Sequence, residues 1–205
     1  MSEFDIKAAD WDKNPMHWDR SVAIVEEIRR SIPLNRNMTA LEYGAGTGIA
    51  SFLLREDLKE ITMMDNSTEM VRIMKEKIEA ANVPNIKVLN FDLEHDDPSA
   101  GRFDVIFTQM VLHHVADIES VIDKFGKMLN AGGFLAIADL YKEDGSFHGE
   151  GFSGHNGFDP ESLSAILGKN SFRNIAHRPC FIIDRKISEL ETKHYEVFLL
   201  TANYI

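Results

Sequence analysis

Between residues 39 and 139 short β-rich runs alternate with longer helical patterns, and this rhythm narrows the possible folds more than any other feature of the chain. The strand candidates are Thr39–Tyr43, Glu60–Met64, Ile86–Asn90, Phe103–Thr108 and Gly133–Asp139, with helix candidates at 48–57, 67–81 and 117–129. In the last of these, Ile118, Val121, Ile122, Phe125, Met128 and Leu129 recur at helical spacing behind Asp117, the expected N-cap. Regular strand–helix alternation predicts a three-layer α/β fold: a Rossmann-like parallel sheet with right-handed crossovers and helices on both faces. A chain of 205 residues with 44% hydrophobic content suits a single domain over 1–205, able to hide about 70% of its unfolded surface.

Two flanks break the rhythm. Residues 1–35 read as a loop and then a helix at about 18–31, with Val22, Val25 and Ile28 on one face; as a unit they suit a lid over the core at 39–139. Residues 141–158 form a glycine- and histidine-rich loop, expected to face a substrate, before Asp159-Pro160-Glu161 opens another helix with cap, first-turn proline and first-turn acid in order. Phe181–Asp184 and Tyr195–Thr201 read as two closing strands, which would complete a seven-stranded sheet as an antiparallel C-terminal edge hairpin.

The formal charge of −11 argues against a nucleic-acid partner, since phosphate backbones call for a basic stripe. It leans mildly towards neutral or cationic small molecules, although surplus acid also serves plain solubility. Cys180 is the only cysteine, so neither an intramolecular disulfide nor a thiolate zinc cluster is available, and its apolar neighbours predict a buried small hydrophobe. The N-terminus, Met1-Ser2-Glu3-Phe4-Asp5, lacks the basic and apolar regions of a signal peptide, and no apolar stretch approaches the ~20 residues of a membrane helix. A cytoplasmic protein with no membrane association is expected.

Gly44-Ala45-Gly46-Thr47-Gly48 follows the first strand, where open α/β sheets bind ligands and where glycine lets the backbone turn tightly against them. A dinucleotide fold needs Gly-x-Gly-x-x-Gly with pyrophosphate at the helix N-terminus; here Ile49 occupies the third glycine's place, which speaks against a nicotinamide oxidoreductase. The Gly-x-Gly-x-Gly spacing, with Glu42 just before it, suits a cofactor without pyrophosphate. Asp65 closes the second strand, where a carboxylate can accept both ribose hydroxyls of a nucleoside. Its competing role is helix capping within Asp65-Asn66-Ser67. Asp92, after the third strand, can accept from an adenine amino group while Leu93 lines the ring; alternatively it is one more loop acid beside Glu94, Asp96 and Asp97.

In order, LEYGAGTG, strand-end Asp65, the Asp92 loop, FDVIFTQMVLHHV and LNAGGFLAIADL resemble the class I methyltransferases dependent on S-adenosylmethionine (SAM). FDIKAADWDKNPMHWDR and EDGSFH…GFD are similar to a small, mostly uncharacterised bacterial and fungal branch. The resemblance covers nearly the whole chain and implies a seven-stranded sheet, with SAM bound at Gly44, Gly46, Asp65 and Asp92 and its methionine moiety near Thr108. With Ala45, Asn66, Leu93 and Trp11, whose aromatic face can attract a sulfonium, these make up the expected cofactor-binding set. For Trp11, docking of the first helix competes with that role, as it does for Trp18.

Methyl transfer from a sulfonium mainly requires a nucleophile held in line and water kept out, so the resemblance carries over no fixed catalytic residue. His113 and His114 after the fourth strand, Tyr141 after the fifth and His148 in the loop are the candidates at the acceptor side. His148 and His155 with Glu150 could bind metal, but seven-residue spacing on a loop matches no standard zinc pattern, and no metal is expected. A nucleophile elbow at Ser153 fails, because His155 stands where glycine is required. The expected function is methylation of a small molecule by a monomer or homodimer; the alternative is a SAM-binding module without catalysis.

Overall fold

The computed structural model describes residues 3–98, 101–188 and 191–205; Met1 and Ser2 of the acidic N-terminus lie outside the described residues. Seven strands form one sheet: β1 (Thr39–Tyr43), β2 (Glu60–Asp65), β3 (Ile86–Asn90), β4 (Phe103–Gln109), β5 (Leu129–Leu140), β6 (Phe172–Lys186) and β7 (Thr192–Tyr204). Their order is β3-β2-β1-β4-β5-β7-β6. Strands β1 to β5 pair in parallel, whereas β7 lies antiparallel between β5 and β6. The strand order reverses between β1 and β4, which makes the carboxyl ends of those strands the topological switch point.

The helices are α1 (Glu3–Lys7), α2 (Pro15–Ser31), α3 (Ile49–Leu54), α4 (Thr68–Ala81), α5 (Ile118–Met128) and α6 (Pro160–Lys169), with 3₁₀ turns at Ala8–Lys13 and Leu112–His114. Side-chain caps start four of them: Asn14 accepts from the Met16 amide, Ser67 from Met70, Asp117 from Ser120, and Asp159 from Glu161 and Ser162. Alternate residues of the central strands supply two cores, as expected of a sheet covered on both faces. Leu41, Ile106 and Leu135 pack with Val121, Ile122 and Phe125 of α5, while Ala40, Val105, Phe107 and Ala136 share a second core with Ile24, Val25 and Ile28 of α2.

Several boundaries differ from those expected. Asn14 and Pro15 start α2 earlier than the apolar pattern does, and its buried face carries Ser21 and Ile24 rather than the half-buried Val22. The residues before it are helical turns, not an open loop. The closing strands run longer than Phe181–Asp184 and Tyr195–Thr201, because β6 is an edge strand whose main chain pairs with β7 while most of its side chains stay exposed. Pro179 is tolerated in such an edge, next to a register shift. Cys180, on the same strand, is half-buried rather than buried. Trp18 is 51% exposed and does not dock the helix. No helix among the described residues is long and apolar enough to cross a membrane.

Candidate active site

A cavity of about 940 Å³ opens at the carboxyl ends of β1, β2 and β4. Gly44 and Gly46 form its floor, both in the left-handed backbone region at φ of +67° and +58°. A Cβ on Gly44 would stand 2.4 Å from Val111 Cγ2, so this position cannot carry a side chain without displacing Val111 after β4. Asp65 lines the cavity beside them: Oδ2 accepts from the Gly46 amide at 2.7 Å and Oδ1 from the Ser67 amide at 2.8 Å. Burial raises its pKa, and those backbone donors oppose the rise. The proton-linked cost is therefore partly met by the turn itself.

Asn66, Asp92 and Leu93 also line the cavity. Asp92 Oδ1 accepts from the Glu94 amide at 3.1 Å, and its Oδ2 lies 3.0 Å from His95 Nδ1. Trp11 borders the cavity opposite Gly46, its ring 4.2 Å from that of His17. Ala45 is buried behind the turn and bonds the Met64 carbonyl. Thr108 lies outside the lining: it is buried, and its hydroxyl donates to the Tyr43 carbonyl at 2.9 Å, so the residues that reach the cavity from this segment are Gln109, Met110 and Val111.

The N-terminal turns form one wall and are fastened to the core. The Ser67 hydroxyl donates to Asp5, the Thr47 hydroxyl donates to Asp12, and Lys77 bridges Asp12 and the Thr47 carbonyl at 2.8 Å each.

At the far end the cavity meets three histidines. His113 is buried, with Nδ1 2.6 Å from Oδ1 of the fully buried Asp139. His114 packs against it, and the 143–156 loop brings His148 to both, with ring centroids 5.1 Å from each. Desolvation, then the neighbouring His113, depresses His114 and His148 to about 4. Both rings are neutral at neutral pH. In the unfolded chain they titrate near 6.5, so their contribution to stability is present above pH 6.5 and fades as pH falls towards 4. In metal-free buffer, the stability difference between wild type and His148→Gln should therefore shrink over that window in urea titrations.

Tyr141 does not join this group; it bridges to Phe158 and packs on Phe198, because the chain turns away from the cavity as it leaves β5. His155 and Glu150 are likewise apart from His148: His155 is 2.9 Å from the Val115 carbonyl, and Glu150 is exposed. The loop is not a loose flap. The His155 amide donates to the His113 carbonyl at 2.7 Å, and a Cβ on Gly154 would stand 2.3 Å from that same oxygen. Gly154→Ala should lift the loop and cost about 1–3 kcal/mol, read as a lowered melting temperature.

Sequence patterns did not single out Arg20. Its guanidinium borders the cavity, is 7% exposed, makes no ion pair among the described residues and leaves Nε without a partner. Desolvation lowers its pKa to about 10, against the opposing charge of Asp139. Its signal was positional: Arg20 precedes Ile24 and Ile28 by one and two helical turns, a charge in an apolar stripe. Phe147 and Gln109, also in the lining, carried no such signal.

A methyltransferase domain family matches residues 16–186. An uncharacterised methyltransferase of Schizosaccharomyces pombe is 31% identical over 153 residues, 67% of this chain and 54% of that protein. Alpha N-terminal protein methyltransferase 1 of Arabidopsis thaliana is 26% identical over 126 residues, 58% of this chain and 46% of that protein. The chain thus spans about half the length of the curated relatives it matches. Among solved structures, a chain of the complex between the Haloferax volcanii Trm112 methyltransferase activator and its putative methyltransferase aligns with a TM-score of 0.78 at 19% identity, covering 100% of this chain and 98% of that one. The N-methyltransferase NodS from Bradyrhizobium japonicum WM9, solved with S-adenosylhomocysteine, aligns at 0.70 with 20% identity, covering 94% and 89%. Those two likenesses speak for the fold; the family match extends over most of the sequence, and on it this chain belongs to the class I SAM-dependent methyltransferases.

Proposed function

We propose that the protein methylates a small molecule, with SAM held between the glycine turn and Asp92 and the acceptor held against the histidines. The observation that carries this reading is a single cavity joining two chemically distinct ends: carboxylates at Asp65 and Asp92, imidazoles at His113, His114 and His148. Its volume, about 940 Å³, falls within the ~300–1,000 Å³ of small-molecule sites.

The lining fits SAM by chemistry. Each Asp65 oxygen spends one acceptor site on a backbone amide, and a carboxylate has about four, so sites remain for two ribose hydroxyls. Asp92 and Asn66 offer polar atoms to an adenine edge beside apolar Leu93. The Arg20 guanidinium, whose Nε has no partner, can meet a carboxylate such as the one on the methionine moiety. Bound SAM supplies an activated methyl group, passed to the acceptor lone pair as the carbon–sulfur bond breaks. Asp65 and Gly46 fix the position, and Trp11 and Phe4 on the N-terminal turns exclude water.

The test is release of S-adenosylhomocysteine, followed by mass spectrometry, from SAM and a panel of phenols, thiols, amines and carboxylic acids. A small acceptor should support turnover while peptides and RNA do not. Methylation of peptide or RNA would overturn the small-molecule reading. SAM binding without turnover on any acceptor would instead favour a non-catalytic SAM-binding module.

A further inference from the structure

We infer that His113, His114 and His148 form a site for one divalent transition-metal ion at the acceptor end of the cavity. Each offers a ring nitrogen, and the three nitrogens lie within 4.8 Å of one another. They come from two separate segments, the turn at Leu112–His114 and the loop after β5, so their convergence is a product of folding and was invisible in the spacing of His148 and His155.

The surroundings are those of a ligand set. Asp139 occupies His113 Nδ1 and also accepts from the His113 amide at 3.3 Å, leaving Nε2 as the free nitrogen. A buried carboxylate orienting an imidazole in this way is the usual outer partner of a metal-bound histidine. His148 Nε2 is buried and has no hydrogen-bond partner, an uncommon state for a ring nitrogen. Packing alone accounts for the ring of His148, stacked on Phe152 at 3.8 Å, but a phenyl group would stack as well without a stranded nitrogen. The Gly154 and His155 contacts to the His113 carbonyl hold the two segments together.

Neutral imidazoles favour zinc, cobalt, nickel, copper or ferrous ions over magnesium or calcium. Zinc–nitrogen bonds of about 2.0–2.1 Å set tetrahedral ligand nitrogens roughly 3.3 Å apart, so an ion would draw the triad inward. All three histidines border the cavity, and three protein ligands leave a fourth position open to it. On the reading proposed above, that position suits an acceptor hydroxyl or thiol: it binds with loss of its proton to solvent, and the metal-held oxygen or sulfur then takes the methyl group as the carbon–sulfur bond of SAM breaks.

Tag-free protein stripped with chelator and titrated with Co²⁺ provides the test, read by visible absorption and by competition with a zinc indicator. One equivalent should bind with nitrogen-ligand absorption bands. His148→Gln and His114→Gln should each weaken binding at least ~10-fold, Asp139→Asn about 10–100-fold, and His177→Ala, on β6, should leave it unchanged. Thermal melts of each variant establish that it is folded. Absence of stoichiometric Co²⁺ binding, or its survival in both folded His148→Gln and His114→Gln, would overturn the inference. Calorimetry with SAM on the same samples separates the two readings: SAM binding without Co²⁺ removes only the metal, and Co²⁺ binding without SAM removes only the cofactor placement.

Discussion

Asp65→Ala should weaken SAM binding by about 100-fold while the protein stays folded. Two losses combine. The carboxylate is the acceptor proposed for both ribose hydroxyls, and a hydrogen bond to a charged group contributes about 1.5–3 kcal/mol. The same carboxylate ties the Gly46 amide at 2.7 Å, so its removal also loosens the turn under the cofactor. A net loss near 3 kcal/mol corresponds to the stated factor. Asp65→Asn keeps the shape and one acceptor oxygen and should lose less. Calorimetric titration decides it: wild-type affinity in Asp65→Ala would remove the glycine turn and Asp65 from the cofactor site.

Glu42→Gln should show the largest pH-dependent change in stability. Glu42 is 0% exposed, and burial pushes its pKa up to about 7, although Ser51 donates both its hydroxyl and its amide to Oε2. In the unfolded chain the group titrates near 4.5. Between these values the folded state holds more protons than the unfolded one, so this residue's contribution is full below pH 4.5 and is lost as pH rises to 7. The gap corresponds to about 3 kcal/mol. Glutamine cannot ionise, so the variant should resemble wild type near pH 4.5 and exceed it by up to that amount at pH 8. Urea unfolding at the two pH values measures this. An unchanged difference would show that Glu42 does not take up a proton on folding.

The sequence was most legible where burial imposes a period. Helix α5 and strands β1, β2 and β4 are apolar because each is covered, and their boundaries fall within a residue or two of those expected. The turn at Gly44 to Gly48 was legible for a different reason: its glycines carry positive φ, which few other residues tolerate. Strand β6 was less so, since an edge is held by main-chain bonds that leave little mark on side-chain choice. The histidine cluster was illegible because His148 reaches His113 across intervening chain through backbone contacts at Gly154 and His155, which no local pattern encodes. Tyr141, close to Asp139 in sequence, stays outside the cavity because the chain turns once β5 ends.

The fastening of the N-terminal turns bears on timing as well as shape. Asp5 and Asp12 hold them to Ser67, Thr47 and Lys77, residues adjoining Asp65 and the glycine turn. Contacts at a partly exposed surface contribute little individually. On the function proposed above, a ligand in the cavity beneath would leave without melting the sheet, at a rate set by how often this handful of carboxylate contacts let go together.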